Sequence, residues 1–158
     1  HYRFTFRPSM TVVGSEIGAM GRGIPAGVAA ASRFPHRQGF SIVGDGGALM
    51  TGSELATAVA QNAKIRVIIA NNQHYGTIRY HQEVHFPTRD HYATNLVNPD
   101  FAKYGESFGL KCFTIEKVEE VSPAIQAAME VNGPSLIEFK MSLELNTSTT
   151  TISQLQMN

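Results

Sequence analysis

The chain has 158 residues, 42% of them hydrophobic, enough for the packed core of one globular domain. Thirteen basic residues balance thirteen acidic ones, so the basic excess of a nucleic-acid binder or a polybasic membrane anchor is missing, and the apolar runs fall far short of the roughly 20 residues that span a bilayer. The single cysteine, Cys112, excludes an internal disulfide framework and a multi-cysteine zinc site and suits a reducing cytoplasm; it reads as a small buried hydrophobe.

The first residue is His1, and the opening 1–8 has neither the apolar core nor the cleavage pattern of a signal peptide, so the chain is expected to begin partway through a longer protein. Residues 19–31 are alanine-rich and predict a helix, with Pro25 and several glycines inside it. Residues 40–43 and 65–70 are short, β-branched-rich apolar runs that end in turn residues, which predicts two buried parallel strands. Between them Thr51-Gly52-Ser53-Glu54 matches a capping box, and Leu55, Ala56, Val59 and Ala60 recur at helical spacing, so a helix is expected over 52–62. The alternation continues with a helix over 99–108, a strand over 111–115, a helix over 118–131 and a strand over 135–140. Segments 1–15 and 143–158 read as peripheral, with the Thr-rich stretch 146–151 crossing the surface or docking on a neighbouring chain. This order implies one α/β domain, a doubly wound parallel sheet with helices on both faces.

In such sheets ligands bind beyond the carboxyl ends of the strands. Gly44-Asp45-Gly46-Gly47 and Asn71-Asn72 both fall there, and a strand-turn-helix-strand unit can bring the second strand end beside the first. A hard cation such as Mg²⁺ takes oxygen ligands and usually only one or two carboxylates, which the Asp45 carboxylate and the Asn72 side-chain oxygen would satisfy. Gly46 and Gly47 are expected to let the backbone turn tightly and bring N–H groups close to phosphate oxygens, and Gly76 offers a similar approach on the other side. Each motif alone is ordinary turn chemistry; the pairing, with a strand before each and a crossover between, carries the argument.

These residues resemble the thiamine-diphosphate-binding motif, a Gly-Asp-Gly followed at this spacing by Asn-Asn. The segment Gly18-Ala19-Met20-Gly21-Arg22-Gly23-Ile24-Pro25-Ala26 is similar to the Gly-x-Met-Gly-Tyr-Gly-x-Pro-Ala run of the acetolactate synthase group. So are 49–58, 75–83 and Asn98-Pro99-Asp100-Phe101. The resemblance implies Asp45 and Asn72 as side-chain metal ligands and the backbone oxygen of His74 as a third. It implies Met20 as an apolar wedge holding the cofactor bent, the backbone of Gly18 and Met20 on the aminopyrimidine edge, Tyr75 and Gly76 beside the cofactor, and Ile78 and His81 on the substrate side. Arg22 and Ser53 depart from the group's usual aromatic residue and glutamine, and His81 stands where acetolactate synthases carry tryptophan, so relatives with Arg-x-His-Gln-Glu fit better.

The resemblance further implies a 2-oxo acid substrate, decarboxylation and carboligation, with simple decarboxylation as the near alternative, and the chain as either a fragment of a longer one or the small subunit of a split enzyme, as some decarboxylases of the family have. The activating glutamate would come from the pyrimidine-binding domain of another subunit in a homodimer or homotetramer; no residue of this chain is expected to supply it, and FAD, if the parent enzyme carries it, would bind elsewhere. Glu54 is explained by the capping box, Glu16 and Glu83 by solvated surface. Among His74, His81, His85 and His91 only His81 and His85 share a helical face, which argues against histidine-bound zinc. A non-catalytic phosphate binder lacks its Gly-x-Gly-x-x-Gly fingerprint here, and a decayed, purely structural domain would not need Met20, Asp45 and Asn72.

Overall fold

The computed structural model describes residues 18–86, 91–144 and 150–156. Four strands, β1 (Gly39–Gly44), β2 (Ile65–Asn71), β3 (Lys111–Ile115) and β4 (Ser135–Lys140), form one parallel sheet in the order β1-β2-β4-β3. The helices are α1 (Gly23–Arg33), α2 (Asp45–Thr51), α3 (Leu55–Ala60), α4 (Gly76–His85), α5 (Phe101–Ser107), α6 (Val121–Glu130) and α7 (Ile152–Gln156). All four expected strands form, each within one residue of its expected ends.

Alternation along the strands divides the core. Ile65, Val67 and Ile69 of β2, with Leu136 of β4, turn to one face, where Ile24 and Val28 of α1, Ala48 of α2, Leu55 and Ala58 of α3 and Phe101 of α5 cover them. Ile137, Ile115 and the partly buried Ile68, Phe113 and Phe139 turn to the other face and pack on Ala124, Ile125 and Ala128 of α6. Each such side chain, fully buried, contributes roughly 1.5–3 kcal/mol, so the doubly wound arrangement follows from the period-two apolar pattern. On that second face Phe40 and Ile42 of edge strand β1 stay exposed.

The helix expected over 19–31 starts only at Gly23, because Gly18 and Gly21 take left-handed φ values of 63° and 84°. Pro25 then lies in the first turn, where its missing N–H costs nothing. The capping box at Thr51 does not form. The Thr51 hydroxyl donates instead to the Gly21 carbonyl at 2.5 Å, and Glu54 accepts from the Thr57 hydroxyl at 3.0 Å. The helical path begins earlier, at Asp45, and Gly52–Glu54 is a 3-10 turn linking α2 to α3. Likewise α6 is preceded by a 3-10 turn, Val118–Glu120, and α5 starts where Asp100 accepts from the Lys103 N–H at 3.0 Å. Segment 1–15 and most of 146–151 lie outside the described residues, while α7 packs against α4.

Candidate functional site

Adjacent parallel strands bring the two turn motifs together. Gly44 at the end of β1 is in register with Ala70 of β2, so Asp45 and Asn71 leave the sheet side by side. Asp45 opens α2 and is buried, 2% exposed. Its Oδ1 accepts from the Gly46 N–H at 2.9 Å and its Oδ2 from Asn98 Nδ2 at 2.7 Å. Among the described residues the ion pairs are those of Glu83, Asp100 and Glu116; none involves Asp45. A carboxylate this buried normally has a counter-charge or a metal; among the described residues Asp45 is instead met by two neutral donors, the Gly46 N–H and the Asn98 amide.

The turn after β2 is shaped by Asn71. Its Oδ1 accepts from the Gln73 N–H at 3.2 Å and from Asn98 Nδ2 at 2.8 Å, while its Nδ2 donates to Glu138 Oε1 at 2.7 Å. Gln73 takes a left-handed φ of 58° and reverses the chain. Residues 73–75 then run antiparallel to 94–96: the Tyr75 N–H donates to the Thr94 carbonyl at 2.9 Å and Leu96 N–H to the Gln73 carbonyl at 2.8 Å. This short ladder fixes the segment that carries Asn72 and His74, both half-buried, and sets the Tyr75 ring against Gly46. The His74 ring lies back on its own turn, with Nδ1 2.6 Å from the Asn72 carbonyl.

Gly46 and Gly47, expected in a tight turn, lie in the first turn of α2 with right-handed backbone; among the described glycines positive φ occurs at Gly18, Gly21, Gly109 and Gly133. Gly46 serves close approach. A Cβ there would lie 2.5 Å from Cε1 of the Tyr75 ring and 3.3 Å from Met20 Cε. Met20, 49% exposed, thus hangs over the start of α2 beside Tyr75. Gly47 sits near the Gly21 N–H, and Gly76 begins α4 next to the Asn72 side chain. Gly18 is exposed at the edge of the described chain. Ile78 and His81, three apart on α4, share an exposed face, where the His81 ring stacks on His85 at 5.7 Å.

Glu83 corrects its surface reading. It is buried at 4% exposure, with Oε1 2.5 Å from Arg79 Nε and 3.5 Å from His91 Nδ1. Sequence reasoning placed Asn71 in the Asn71-Asn72 motif without a role of its own, and missed Asn98, which donates to Asp45, and Glu138, which accepts from Asn71. The one signal available was a charge, Glu138, inside the apolar run of β4.

Among the described residues no three His, Cys, Asp or Glu side chains gather as a metal cluster. The site therefore offers one carboxylate with amide and main-chain oxygens around it, a set suited to a hard cation that shares its shell with phosphate.

Comparison with known proteins agrees with this geometry. Residues 1–139 match the family model for the thiamine pyrophosphate enzyme, C-terminal TPP binding domain. The chain is 37% identical over 127 residues to YdaP of Bacillus subtilis, a protein described as thiamine pyrophosphate-containing, covering 80% of this chain and 22% of that one. It is 30% identical over 131 residues to the acetolactate synthase isozyme 2 large subunit of Escherichia coli, covering 83% of this chain and 24% of the relative. A thiamine diphosphate-dependent 4-hydroxybenzoylformate decarboxylase of Rhodococcus jostii superposes with a TM-score of 0.74 at 28% identity, over 80% of this chain and 24% of that one. The chain thus spans about a quarter or less of these relatives. It belongs to the C-terminal thiamine pyrophosphate-binding domain family of thiamine pyrophosphate enzymes.

Proposed function

We propose that this domain holds Mg²⁺ and the diphosphate of thiamine diphosphate within an enzyme that decarboxylates 2-oxo acids and joins the product to an acceptor, as acetolactate synthases do. The observation that carries the reading is Asp45, a buried carboxylate with no cationic partner among the described residues, at a strand end adjoining the one that leads into the Asn71-Asn72 turn. Asp45 and Asn72 would supply side-chain oxygens and His74 a backbone oxygen to the metal. Gly44, Gly46 and Gly47 would let the diphosphate approach the first turn of α2, with Tyr75 and Gly76 closing its other side. Met20 would bear on the cofactor as an apolar wedge, and the backbone of Gly18 and Met20 would orient its aminopyrimidine. The bound cofactor supplies the electron sink for decarboxylation.

Ile78 and His81 are the candidates for substrate contact. The Rhodococcus relative is a decarboxylase, which keeps simple decarboxylation as the second reading. Neither Glu54 nor Glu83 is free to activate the cofactor, since one accepts from Thr57 and the other is buried against Arg79. That glutamate would come from a pyrimidine-binding domain of another subunit, in a homodimer or homotetramer, with this domain one part of a longer chain. No described helix is long and apolar enough to cross a membrane, and the lone Cys112 suits the cytoplasm.

Calorimetric titration of thiamine diphosphate, with Mg²⁺ and then with EDTA, tests the proposal. Binding that needs both Mg²⁺ and Asp45 is expected, with Asp45→Ala abolishing it. No binding with Mg²⁺ and a pyrimidine-binding domain supplied would sink the assignment.

A further inference from the structure

Asn98 makes no contact that its place in the chain requires. It lies 53 residues from Asp45 and 27 from Asn71, yet one side-chain nitrogen donates to both, at 2.7 Å to Asp45 Oδ2 and 2.8 Å to Asn71 Oδ1. Asn71 passes its own amide hydrogen to Glu138 Oε1 at 2.7 Å. Two side-chain amides thereby link two buried carboxylates, Asp45 and Glu138, which are 2% and 1% exposed. Both Asn98 acceptors are oxygens, so the amide can stand only one way round. The cost falls on its own carbonyl: Asn98 Oδ1 is buried and has no hydrogen-bond partner among the described residues. A buried acceptor left without a donor destabilises a fold, and such violations of local satisfaction collect at functional sites. The turn could be anchored without this arrangement, because Gln73 to Leu96 and Tyr75 to Thr94 already tie the segment down.

We infer that Asn98 is a positioning residue for the cation site, fixing the Asp45 carboxylate in the orientation that presents its remaining lone pairs to the metal and holding it in register with the Asn71–Asn72 turn. The inference rests on the cation reading of Asp45. Outer partners of ligating carboxylates set metal affinity, and the two hydrogen bonds from one nitrogen determine both the carboxylate's rotation and its distance from the turn that carries Asn72.

The test is Mn²⁺ binding in the presence of thiamine diphosphate, followed by the loss of the free-ion electron paramagnetic resonance signal, on the unaltered protein, Asp45→Asn, Asn98→Ala and Asn98→Ser. Each is first checked for a cooperative melt without metal. Asn98→Ala should weaken Mn²⁺ roughly tenfold or more, and Asn98→Ser, with a shorter hydroxyl donor, should fall between it and the unaltered protein. Unchanged Mn²⁺ affinity in a folded Asn98 variant, with binding lost in Asp45→Asn, overturns the role of Asn98 and leaves the cation reading standing. Absent Mn²⁺ binding by the unaltered protein with a pyrimidine-binding domain supplied, or undiminished binding by Asp45→Asn, overturns both. A lowered melting temperature with full affinity marks Asn98 as structural only.

Discussion

Gly46 and Gly47 are neighbours in the first turn of α2, and their surroundings predict opposite responses to the same change. A methyl group at Gly46 would sit 2.5 Å and 2.7 Å from two carbons of the Tyr75 ring and 3.3 Å from Met20 Cε. Carbon atoms pack at about 3.5–4.0 Å, so the ring must retreat by roughly 1 Å, and its backbone is held by the Tyr75–Thr94 hydrogen bond. At Gly47 the nearest atom is the Gly21 nitrogen at 3.7 Å, an ordinary contact. Both substitutions gain the same helix preference of alanine over glycine, about 1 kcal/mol. Only Gly46→Ala adds overpacking, about 1–3 kcal/mol. Gly47→Ala should therefore match or exceed the parent in stability, and the two variants' melting temperatures should differ by roughly 3–10 °C for a domain of this size. Differential scanning calorimetry on both reads the difference directly. Equal melting temperatures would refute the account of Gly46 as a close-approach position. Because the displaced groups are Tyr75 and Met20, Gly46→Ala should also weaken thiamine diphosphate in the titration above.

Arg66 lies on β2 at 1% exposure, and its guanidinium donates to the carbonyls of Gly133 and, at 2.7 Å, Val131, just beyond α6. Burial lowers its pKa, yet Arg66→Met should cost at least about 2 kcal/mol in urea denaturation, because buried carbonyls lose their donor. Glu83→Gln leaves Arg79 buried without its counter-charge and should cost about 3–5 kcal/mol; Arg79→Met with Glu83→Leu together should cost less than that single change. Desolvation pushes the half-buried Cys112 thiol from its ordinary 9.0 up to about 12. The unfolded chain therefore loses this proton first, so stability should fall as pH rises from about 9 toward 12. Alkylation of the folded protein at pH 8 should be far slower than after unfolding; equal rates would contradict the burial.

The strands were legible because buried parallel strands are short, β-branched and bounded by turns, and that pattern survives without knowledge of the neighbours. Helix starts were less so. Thr51 and Glu54 have the right spacing for a capping box, but the Gly21 carbonyl competes for the Thr51 hydroxyl from 30 residues away, and tertiary contact wins over local pattern. The same limit hid the shell around Asp45. Asn98 and Glu138 reach the site only through the crossing of the chain, and nothing in Asn98-Pro99-Asp100 distinguishes a buried amide from a turn residue. Motif spacing marked the residues that would face a ligand and passed over those that hold them.

Helix α4 carries this furthest, because its amphipathicity is inverted. Arg79 and Glu83 are buried, whereas Ile78 and Val84 are 48% and 42% exposed. A helix built for the stability of this domain would reverse that order, since a buried ion pair gains little over apolar packing. The polar groups of the helix have a different use. Arg79 reaches Asn95 Oδ1 at 3.4 Å, and Gln82 grips the Tyr92 backbone twice, donating to its carbonyl at 2.9 Å and accepting from its N–H at 3.1 Å. These contacts pin 92–95 against α4, and 94–96 in turn holds the 73–75 segment that carries His74. The charged seam thus fixes backbone near Asp45, while the same helix leaves Ile78 and His81 outward on the face proposed to meet substrate. One helix thus fixes the segment that carries His74 with its polar side chains and leaves Ile78 and His81 exposed, which is why its sequence defies the usual periodic reading.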